Sequence, residues 1–347
     1  MSWPEAADAA QRVLGEQFWH PRFALYQDAP GRRRLAVRLS WDYWIQAHAL
    51  DVTVDAAART GSTALKDRIR THVGGILRRN GGRIVNRYYD DMAWMAIALL
   101  RADEVAGADT GGLVRELWAD IRAGWSERHG GILWRRDDPR PYTNTPANAP
   151  AAVLAARLHR RYGDPADLDW ARRIADWQQA TLVDPATGIV WDGVHPAEQE
   201  SPDRTLWTYN QGTVVGAEVE LWRLTGDRTH LDRARRTAAA ALDRFADPFG
   251  GVLPDEGMGD HSVFKGILAR YLGDLVRADP EPSAGVAGRV RAALTSSGAA
   301  VAAAAGAPIG SDWRQPGRGG SSLGTEVSAA LLLEALAVLD HPDVTHG

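Results

Sequence analysis

Two adjacent aspartates, Asp90 and Asp91, stand directly before an apolar run in the stretch NRYYDDMAWMAIALL. An aspartate at a helix start accepts hydrogen bonds from free backbone N–H groups and is stabilised by the helix dipole. One aspartate is enough for that role, because consecutive side chains lie about 100° apart around a helix. The second aspartate is therefore not explained by capping, which indicates a chemical role for the pair.

A metal site is the first chemical alternative. An Asp-rich helix that binds magnesium needs a third acid one turn later, but position 94 is tryptophan. The chain has no cysteine for a thiolate-bound zinc, and it contains no HxxxH or HExxH pattern. We therefore expect no metal and no other cofactor.

The remaining alternative uses both carboxyl groups to break a glycosidic bond. Consecutive Cα atoms are about 3.8 Å apart, which predicts carboxyl groups roughly 5–6 Å apart, close to the spacing in retaining glycosidases. Each negative charge disfavours the other, so one acid stays ionised as nucleophile while the other keeps its proton as acid. Trp94, one turn further on, supplies apolar shielding for that proton.

The composition excludes several classes of partner. The chain has 347 residues, 45% hydrophobic and 24% charged, with a formal net charge of −4 and its Lys and Arg residues spread along the sequence. Nucleic acids and anionic membranes are therefore not expected as partners, and no apolar stretch is long enough to span a bilayer. We expect a monomer. Its N-terminus shows no signal peptide, which predicts a cytoplasmic protein as given, or a secreted one if the true start lies upstream.

Glycines divide the sequence into repeating helix pairs. Three of them end a helical pattern and are followed at once by a Ser or Asp N-cap: Gly61, Gly163 and Gly226. Four others begin a turn with two or three β-prone residues and a polar loop: Gly82, Gly131, Gly188 and Gly251. Periodicity and end signals predict twelve helices, which begin near Pro4, Asp42, Ser62, Tyr89, Thr110, Thr145, Pro165, Thr208, Arg228, Asp260, Ser283 and Leu323.

The predicted helices alternate between two kinds. One kind has an Arg-rich polar face, as in DPADLDWARRIADWQQ, and the other is apolar nearly all round, as in MAWMAIALL and EVSAALLLEALAVL. A helix that is apolar all round must be buried, and an amphipathic helix covers it. Six buried helices ringed by six outer ones predict an all-α fold, an (α/α)6 barrel formed by residues 1–347 as a single domain.

The inner helices of such a barrel run parallel, so their N-termini gather at one mouth. Their predicted starts are SWDYWIQAH, NRYYDD, YTNTPAN, LWTYNQG, GDHSVFKG and GSSLGTE. Capping explains one polar residue per start, and a shared polar and aromatic cleft explains the rest. The side chains expected to line a binding site there are Trp44, His48, Tyr89, Trp94, Asn144, Asn148, Trp207, Tyr209, Asn210, Gln211, His261 and Lys265.

Several of these residues also have a purely structural interpretation. Trp44 fits equally well as a core anchor, and His48, inside a helix, fits a hydrogen-bonded core histidine. Lys265 could lie along the surface with its charge in water, although its place in the first turn of an inner helix favours the mouth. Asn210 and Gln211 are adjacent amides at a buried helix start, and each needs several hydrogen-bond partners.

Four segments together resemble glycoside hydrolase family 76, a family of bacterial and fungal endo-α-1,6-mannanases built on an (α/α)6 barrel. They are YWIQAHALDVTVDAAARTG, YYDDMAWMAIALL, WTYNQGTVVGAEVELWRLTGD and HSVFKGILARYLGDL, and the resemblance runs from about Trp41 to Leu339. It implies a retaining hydrolase of α-mannan or manno-oligosaccharides, in which Asp90 is the nucleophile and Asp91 the acid/base.

Two features depart from that family's pattern. Members often carry a second aromatic residue after the motif tryptophan, where this chain has Met95, a difference that bears on the shape of the sugar pocket. Members are also mostly secreted or anchored. Two other functions stay open: a non-hydrolytic mannan-binding member of the same fold, and an (α/α)6-barrel sugar epimerase or lyase, although the residues typical of those two enzymes are not evident.

Overall fold

Twelve α-helices in the described part of the chain form two concentric layers. This computed structural model describes residues 1–30, 41–195, 202–281, 283–304, 308–315 and 320–340. Within these ranges the helices are α1 (Trp3–Val13), α2 (Tyr43–Thr60), α3 (Thr63–Arg79), α4 (Tyr89–Ala106), α5 (Gly111–Ala123), α6 (Thr145–Tyr162), α7 (Pro165–Thr181), α8 (Thr208–Thr225), α9 (Arg228–Phe245), α10 (Phe264–Ala278), α11 (Gly285–Ala302) and α12 (Leu323–Asp340). The predicted starts agree within two residues, except at α10, where a 3-10 helix, Gly259–Val263, comes first. Of the predicted start segments, Ser40 lies outside the described residues.

The even-numbered helices close an inner ring. Each packs against the next in the order α2, α4, α6, α8, α10 and α12, and α12 returns to α2. The odd-numbered helices pack around this ring. The inner helix α2 is buried without a break from Ile45 to Ala57, whereas the outer helix α9 buries one face, with Leu231, Ala234, Ala238 and Leu242 among its buried residues. The predicted (α/α)6 barrel is confirmed. No helix in the described part of the chain is both long and apolar enough to cross a membrane.

Tight turns join each of three inner helices to the outer helix that follows it. The helices α2, α6 and α8 end at Gly61, Gly163 and Gly226, whose φ angles of +69°, +74° and +65° lie in the left-handed region that glycine adopts without steric cost. The residue after each glycine is an N-cap whose side chain accepts a backbone N–H: Ser62, Asp164 and Asp227. These turns confirm the predicted caps.

Longer loops lead from the outer helices back to the mouth of the barrel. They turn at glycines with positive φ, namely Gly82, Gly131, Gly188 and Gly251. Two small antiparallel sheets lie at this end of the barrel: β1 (Trp19–His20) pairs with β2 (Leu25–Tyr26), and β3 (Thr143–Asn144) pairs with β4 (Gly193–Val194). Thr143 stands opposite Val194, so two successive loops are joined where they pass the mouth.

The inner helices are not apolar along their full length, contrary to the prediction. A layer of buried ion pairs crosses the ring below the mouth, and we call it the charged layer: Asp51 and Asp55 of α2, Arg101 of α4, Arg157 of α6, Glu220 of α8 and Arg270 of α10. Arg101 and Arg270 each bind both aspartates of α2, and Arg157 binds Glu220 at 2.7 Å. Buried charges persist only when they are paired in this way. The sequence does not reveal this layer, because each helix contributes only one or two of these residues.

Candidate active site

A cleft of about 650 Å³ opens at the N-terminal end of the inner ring. Inner-helix starts and the loops before them supply its walls. The lining residues are Asp42, Trp44, Tyr88, Asp90, Asp91, Trp94, Trp134, Tyr142, Asn144, Pro146, Asp192, Trp207, Tyr209, Asp260, His261 and Phe264. Aromatic and acidic side chains dominate this set, and it contains no Lys or Arg. Among the described residues, no three His, Asp or Glu side chains come together as ligands for a metal ion.

Asp90 lies in the first turn of α4 and is held by two hydrogen bonds. Its Oδ1 accepts the backbone N–H of Asp91 at 2.9 Å, and its Oδ2 accepts the indole N–H of Trp134 at 3.0 Å. Burial raises the pKa of Asp90 to about 6, while these two hydrogen bonds act in the opposite direction. At neutral pH the group is therefore mostly ionised.

Backbone pairing places the indole of Trp134 beside Asp90. The N–H of Tyr89 donates to the carbonyl of Trp134 at 2.9 Å, and the N–H of Trp134 donates to the carbonyl of Tyr142 at 2.7 Å. Arg136 N–H then bonds the carbonyl of Arg87 at 2.9 Å. The loop after Gly131 thus runs as an extended segment along the start of α4, with its tryptophan facing the acid pair.

Asp91 has a different environment. Its Oδ2 accepts the side-chain N–H of Asn86 at 2.7 Å, and the Asn86 Oδ1 is itself fixed by the N–H of Tyr88 at 2.7 Å. Burial raises the pKa of Asp91 well above its usual range, and the charges of Asp90, Asp42 and Asp260 raise it further against the opposing hydrogen bond from Asn86. Asp91 therefore keeps its proton at a pH at which Asp90 has lost its own, which is the division of roles that an acid and a nucleophile need.

A third carboxylate, Asp192, lies on the cleft wall. Its Oδ2 accepts the hydroxyl of Tyr142 at 2.7 Å, and its Oδ1 accepts the side-chain N–H of Asn210 at 3.0 Å. Burial raises the pKa of Asp192, and its charge in turn helps to raise that of Asp90. Asn210 is fully buried behind Asp192, so this predicted binding residue acts on the cleft through the carboxylate.

Aromatic rings form one continuous wall of the cleft. The ring of Tyr209 stacks on Phe264 with 3.9 Å between centroids and 19° between planes. Trp207 and His261 lie 4.6 Å apart, and both contact Phe264. Trp44 reaches the same phenylalanine from α2 at 5.9 Å. The apolar C–H faces of a pyranose ring bury against surfaces of this kind, leaving the sugar hydroxyls free for the carboxylates.

The structure brings the predicted catalytic pair and half of the predicted binding residues into the cleft. Those that line it are Trp44, Trp94, Asn144, Trp207, Tyr209 and His261. Met95, the departure from the family pattern, is fully buried in the core and does not line the cleft.

Asn148 and Gln211 do not face the cleft. Each lies at the fourth position of an inner helix and bonds both backbone groups of one loop residue. Asn148 accepts from the N–H of Ile132 at 2.7 Å and donates to its carbonyl at 2.8 Å, and Gln211 does the same for Val190 at 2.8 Å each. A primary amide carries the donor and acceptor of a strand neighbour. The prediction that these two residues bind sugar is therefore replaced by a structural role, and we call them the amide clamps.

Three other predicted binding residues also lie outside the cleft. His48 is buried beneath Trp44 and Trp94, where burial lowers its pKa to about 3 and keeps it neutral. Tyr89 turns away, with its ring against Gly124 at the end of α5. Lys265 donates from Nζ to the carbonyls of Pro254 and Ser311, so its charge fixes two loops.

Trp134, Tyr142, Asp192 and Phe264 are functional candidates that were not among the predicted site residues. Two of them follow the repeated glycine turn at similar distances: Trp134 comes three residues after Gly131, and Asp192 four residues after Gly188. That equivalence is the signal that could have identified them, because repeated loops on one rim of a barrel deliver side chains to the same place.

Comparison with known proteins agrees with this geometry. The family model described as glycosyl hydrolase family 76 matches residues 2–346. The GH76A alpha-1,6-mannanase from Salegentibacter sp. HEL1_6 has 32% sequence identity, and the superposition covers 97% of this chain and all of that one with a TM-score of 0.90. An inactive variant of that mannanase, solved with alpha-1,6-mannotetrose, has 31% identity, covers 98% of this chain and 100% of that chain, and has a TM-score of 0.88.

A fungal relative is similar over a shorter stretch. The mannan endo-1,6-alpha-mannosidase DCW1 of Eremothecium gossypii is 28% identical over 234 residues, which is 62% of this chain and 51% of that protein. The chain thus spans about half the length of this relative. Since the family model extends across nearly the whole chain and the barrel superposes on that of a family mannanase, this protein belongs to glycoside hydrolase family 76.

Proposed function

We propose that this protein is a retaining endo-α-1,6-mannanase that uses Asp90 as nucleophile and Asp91 as acid/base. The observation that carries the proposal is the acid pair in the cleft, where two neighbouring carboxyl groups have different hydrogen-bond partners and different proton affinities. This is the arrangement that double displacement at a glycosidic carbon requires.

In the first step, a carboxylate oxygen of Asp90 bonds to the anomeric carbon. The bond from that carbon to the glycosidic oxygen breaks, and the leaving oxygen takes the proton of Asp91. In the second step, Asp91, now ionised, removes a proton from water as the water oxygen bonds to the anomeric carbon. The bond to Asp90 breaks and restores both carboxyl groups to their starting states. Two inversions leave the configuration unchanged.

Mannan as the substrate is supported by the relatives. The Salegentibacter mannanase has been solved with alpha-1,6-mannotriose in a variant made inactive by two consecutive Asp-to-Asn substitutions. This chain has two consecutive aspartate pairs, Asp90–Asp91 and Asp137–Asp138. Only the first lines the cleft, since Asp137 is exposed and Asp138 is paired with Arg135 at 2.9 Å. The aromatic wall around Phe264 supplies the stacking surface for the sugar rings.

Hydrolysis of linear α-1,6-mannan tests the proposal. Wild-type protein is expected to release oligosaccharides of several lengths, and early NMR spectra should show the α-anomer as the first product. Asp90→Asn and Asp91→Asn are each expected to lose at least roughly 100-fold in rate, whereas Asp137→Asn, the matched control, keeps full activity. Near-wild-type rates in both variants would reject the catalytic pair, and tight mannan binding without any product would identify a non-hydrolytic member of the family.

Azide distinguishes the two roles. In Asp91→Asn the nucleophile remains, so azide can attack the glycosyl–enzyme intermediate of an aryl mannoside and give the α-mannosyl azide. In Asp90→Asn azide replaces the nucleophile itself and gives the β-mannosyl azide. If Asp91→Asn gave the β-azide and Asp90→Asn the α-azide, Asp91 would be the nucleophile and Asp90 the acid/base.

A further inference from the structure

A second cavity, of about 510 Å³, lies at the other end of the barrel. All six inner helices reach it through their C-terminal halves, and α11 closes one side through Arg291. Its volume falls in the range of about 300–1,000 Å³ that is usual for small-molecule sites. The charged layer separates this cavity from the cleft, so it is not part of the site described above.

Positive charge predominates in the lining of this cavity. Seven arginines and four acidic residues line it. Most of the acids already have close partners: Glu220 binds Arg157 and Arg160 at 2.7 Å each, Asp55 binds Arg101 at 2.6 Å, and Glu334 binds Arg59 at 2.7 Å. The arginines of the lining therefore outnumber the carboxylates that could pair with them.

The two arginines with the weakest pairing are Arg277 and Arg291. Arg277 has Asp274 as its nearest acid at 3.7 Å, and it shares this carboxylate with Arg223, also at 3.7 Å. Arg291 forms no ion pair within the described part of the chain, and its Nε is buried without any hydrogen-bond acceptor there. A buried donor that lacks an acceptor is destabilising, so an acceptor brought by a ligand would be bound favourably.

The helix ends do not remove this surplus. Helix C-termini carry partial negative charge of about half an elementary charge, which is smaller than the full charge of a guanidinium group, and in α2, α4, α6 and α8 a glycine cap N–H bonds back to one carbonyl of the last turn. Two arginines of the lining donate to backbone carbonyls in the described residues: Arg101 to that of Asp51 at 3.5 Å and Arg223 to that of Asp274 at 3.2 Å. Within the described residues no acceptor lies at hydrogen-bond distance from Arg277 or Arg291, so their forked donors can receive an oxyanion.

We propose that this cavity binds a small phosphate-bearing ligand, with Arg277 and Arg291 as its principal donors. A guanidinium group matches tetrahedral oxyanions through paired N–H donors, and it remains charged at every physiological pH. The volume also leaves room for a sugar attached to the phosphate. The proposal does not depend on mannanase activity, since none of these residues lies at the mouth.

Isothermal titration calorimetry tests the proposal with three probes: inorganic phosphate, mannose 6-phosphate and mannose, all at constant ionic strength set with chloride. Wild-type protein should bind both phosphates saturably, and mannose, which can bind at the cleft, should give the same signal in wild type and in the cavity variants. Arg277→Gln/Arg291→Gln should weaken phosphate binding roughly tenfold or more, a loss of about 1.4 kcal/mol. Arg172→Gln, which removes an exposed arginine of α7, is the matched control.

The comparison of the two phosphate probes identifies the source of the anion. Tighter binding of mannose 6-phosphate than of inorganic phosphate would indicate a phosphosugar site, and equal binding would indicate a free phosphate site. The single variant Arg291→Gln, in a half-buried position on an outer helix, replaces the double variant if the latter does not fold. Equal phosphate affinity in wild type and in the cavity variants, or no saturable binding by wild type, would overturn the proposal.

Discussion

The indole Nε1 of Trp134 donates a hydrogen bond to Oδ2 of Asp90 at 3.0 Å. Trp134, in a loop, thereby influences the pKa of Asp90, at the start of helix α4. Burial raises the pKa of Asp90 to about 6 against the opposing effect of the backbone N–H of Asp91 and of this hydrogen bond, both of which favour the ionised carboxylate. If Asp90 is the nucleophile, these two hydrogen bonds help to keep it ionised at neutral pH.

Trp134→Phe tests the contact while keeping the ring. Without the donor, the pKa of Asp90 should rise above about 6, so the acidic limb of the kcat/KM profile should move to higher pH. A hydrogen bond to a charged group contributes about 1.5–3 kcal/mol, which corresponds to a loss of roughly tenfold or more in activity. Trp170→Phe on the outer helix α7 is the control. An unchanged acidic limb would show that Trp134 acts on the sugar alone.

The pH profile of the wild-type protein follows from the acid pair. Activity requires Asp90 without its proton and Asp91 with its proton, so it should fall as the pH drops through about 6. It should fall again when the pH rises through the pKa of Asp91, which burial and the charge of Asp90 raise well above its usual value. A profile of kcat/KM against pH measures both limbs. Highest activity well below pH 6 would contradict this assignment.

Asp42→Asn should move the basic limb alone. The charge of Asp42 helps to raise the pKa of Asp91, and Asp42, whose own pKa burial raises to about 7, is ionised at alkaline pH. Removing that charge lowers the pKa of Asp91, so activity should be lost at a lower pH than in wild type. Asp137→Asn, outside the cleft, should leave both limbs in place.

Asn86→Ala should separate proton transfer from binding. Asn86 orients the carboxyl group of Asp91 through the 2.7 Å hydrogen bond, and this matters most when the leaving group needs a proton. The kcat for mannan should fall while KM changes little. An aryl mannoside with an acidic phenol, which leaves without a proton, should be hydrolysed almost as fast as by wild type. Equal losses for both substrates would assign Asn86 another role.

The amide clamps make a prediction about stability. Gln211→Ala removes both hydrogen bonds to Val190 and leaves its buried backbone groups without partners. The free energy of unfolding should fall by about 2 kcal/mol or more, measured by urea unfolding. Asn148→Ala should have a similar effect through Ile132. A loss of mannan affinity without a loss of stability would return Gln211 to the binding site.

Arg101→Gln tests the charged layer. It leaves Asp51 and Asp55 with Arg270 as their remaining partner, and it should lower the free energy of unfolding by about 3 kcal/mol at neutral pH. Burial alone would raise the pKa of Asp51, but Arg101 and Arg270 hold it below its usual value. This stabilisation is present above the unfolded pKa of about 3.9 and is lost as the pH falls further. The difference from wild type should therefore narrow in acid, whereas Arg172→Gln should show no such difference.

The sequence was most informative where local rules decide the structure. Helix starts and caps, such as Gly61 with Ser62, depend on neighbours along the chain and were predicted correctly. Polar residues near the mouth were harder, because Asn148 and Asn144 both lie at the start of α6 but face different ways. Trp134 and Asp192 were missed because loop conformation decides where they point. The charged layer was missed because its partners lie on different helices.

The amide clamps have a consequence for how such a barrel diversifies. Asn148 and Gln211 anchor each loop immediately after its glycine turn, next to the rigid inner helix. Beyond Trp134 in one loop and Asp192 in the other, the loops can then gain or lose residues without displacing the acid pair or these two neighbours. New glycan specificities would arise by insertion at these outer stretches, and chimaeras that exchange them while retaining Trp134 and Asp192 should keep a working catalytic centre.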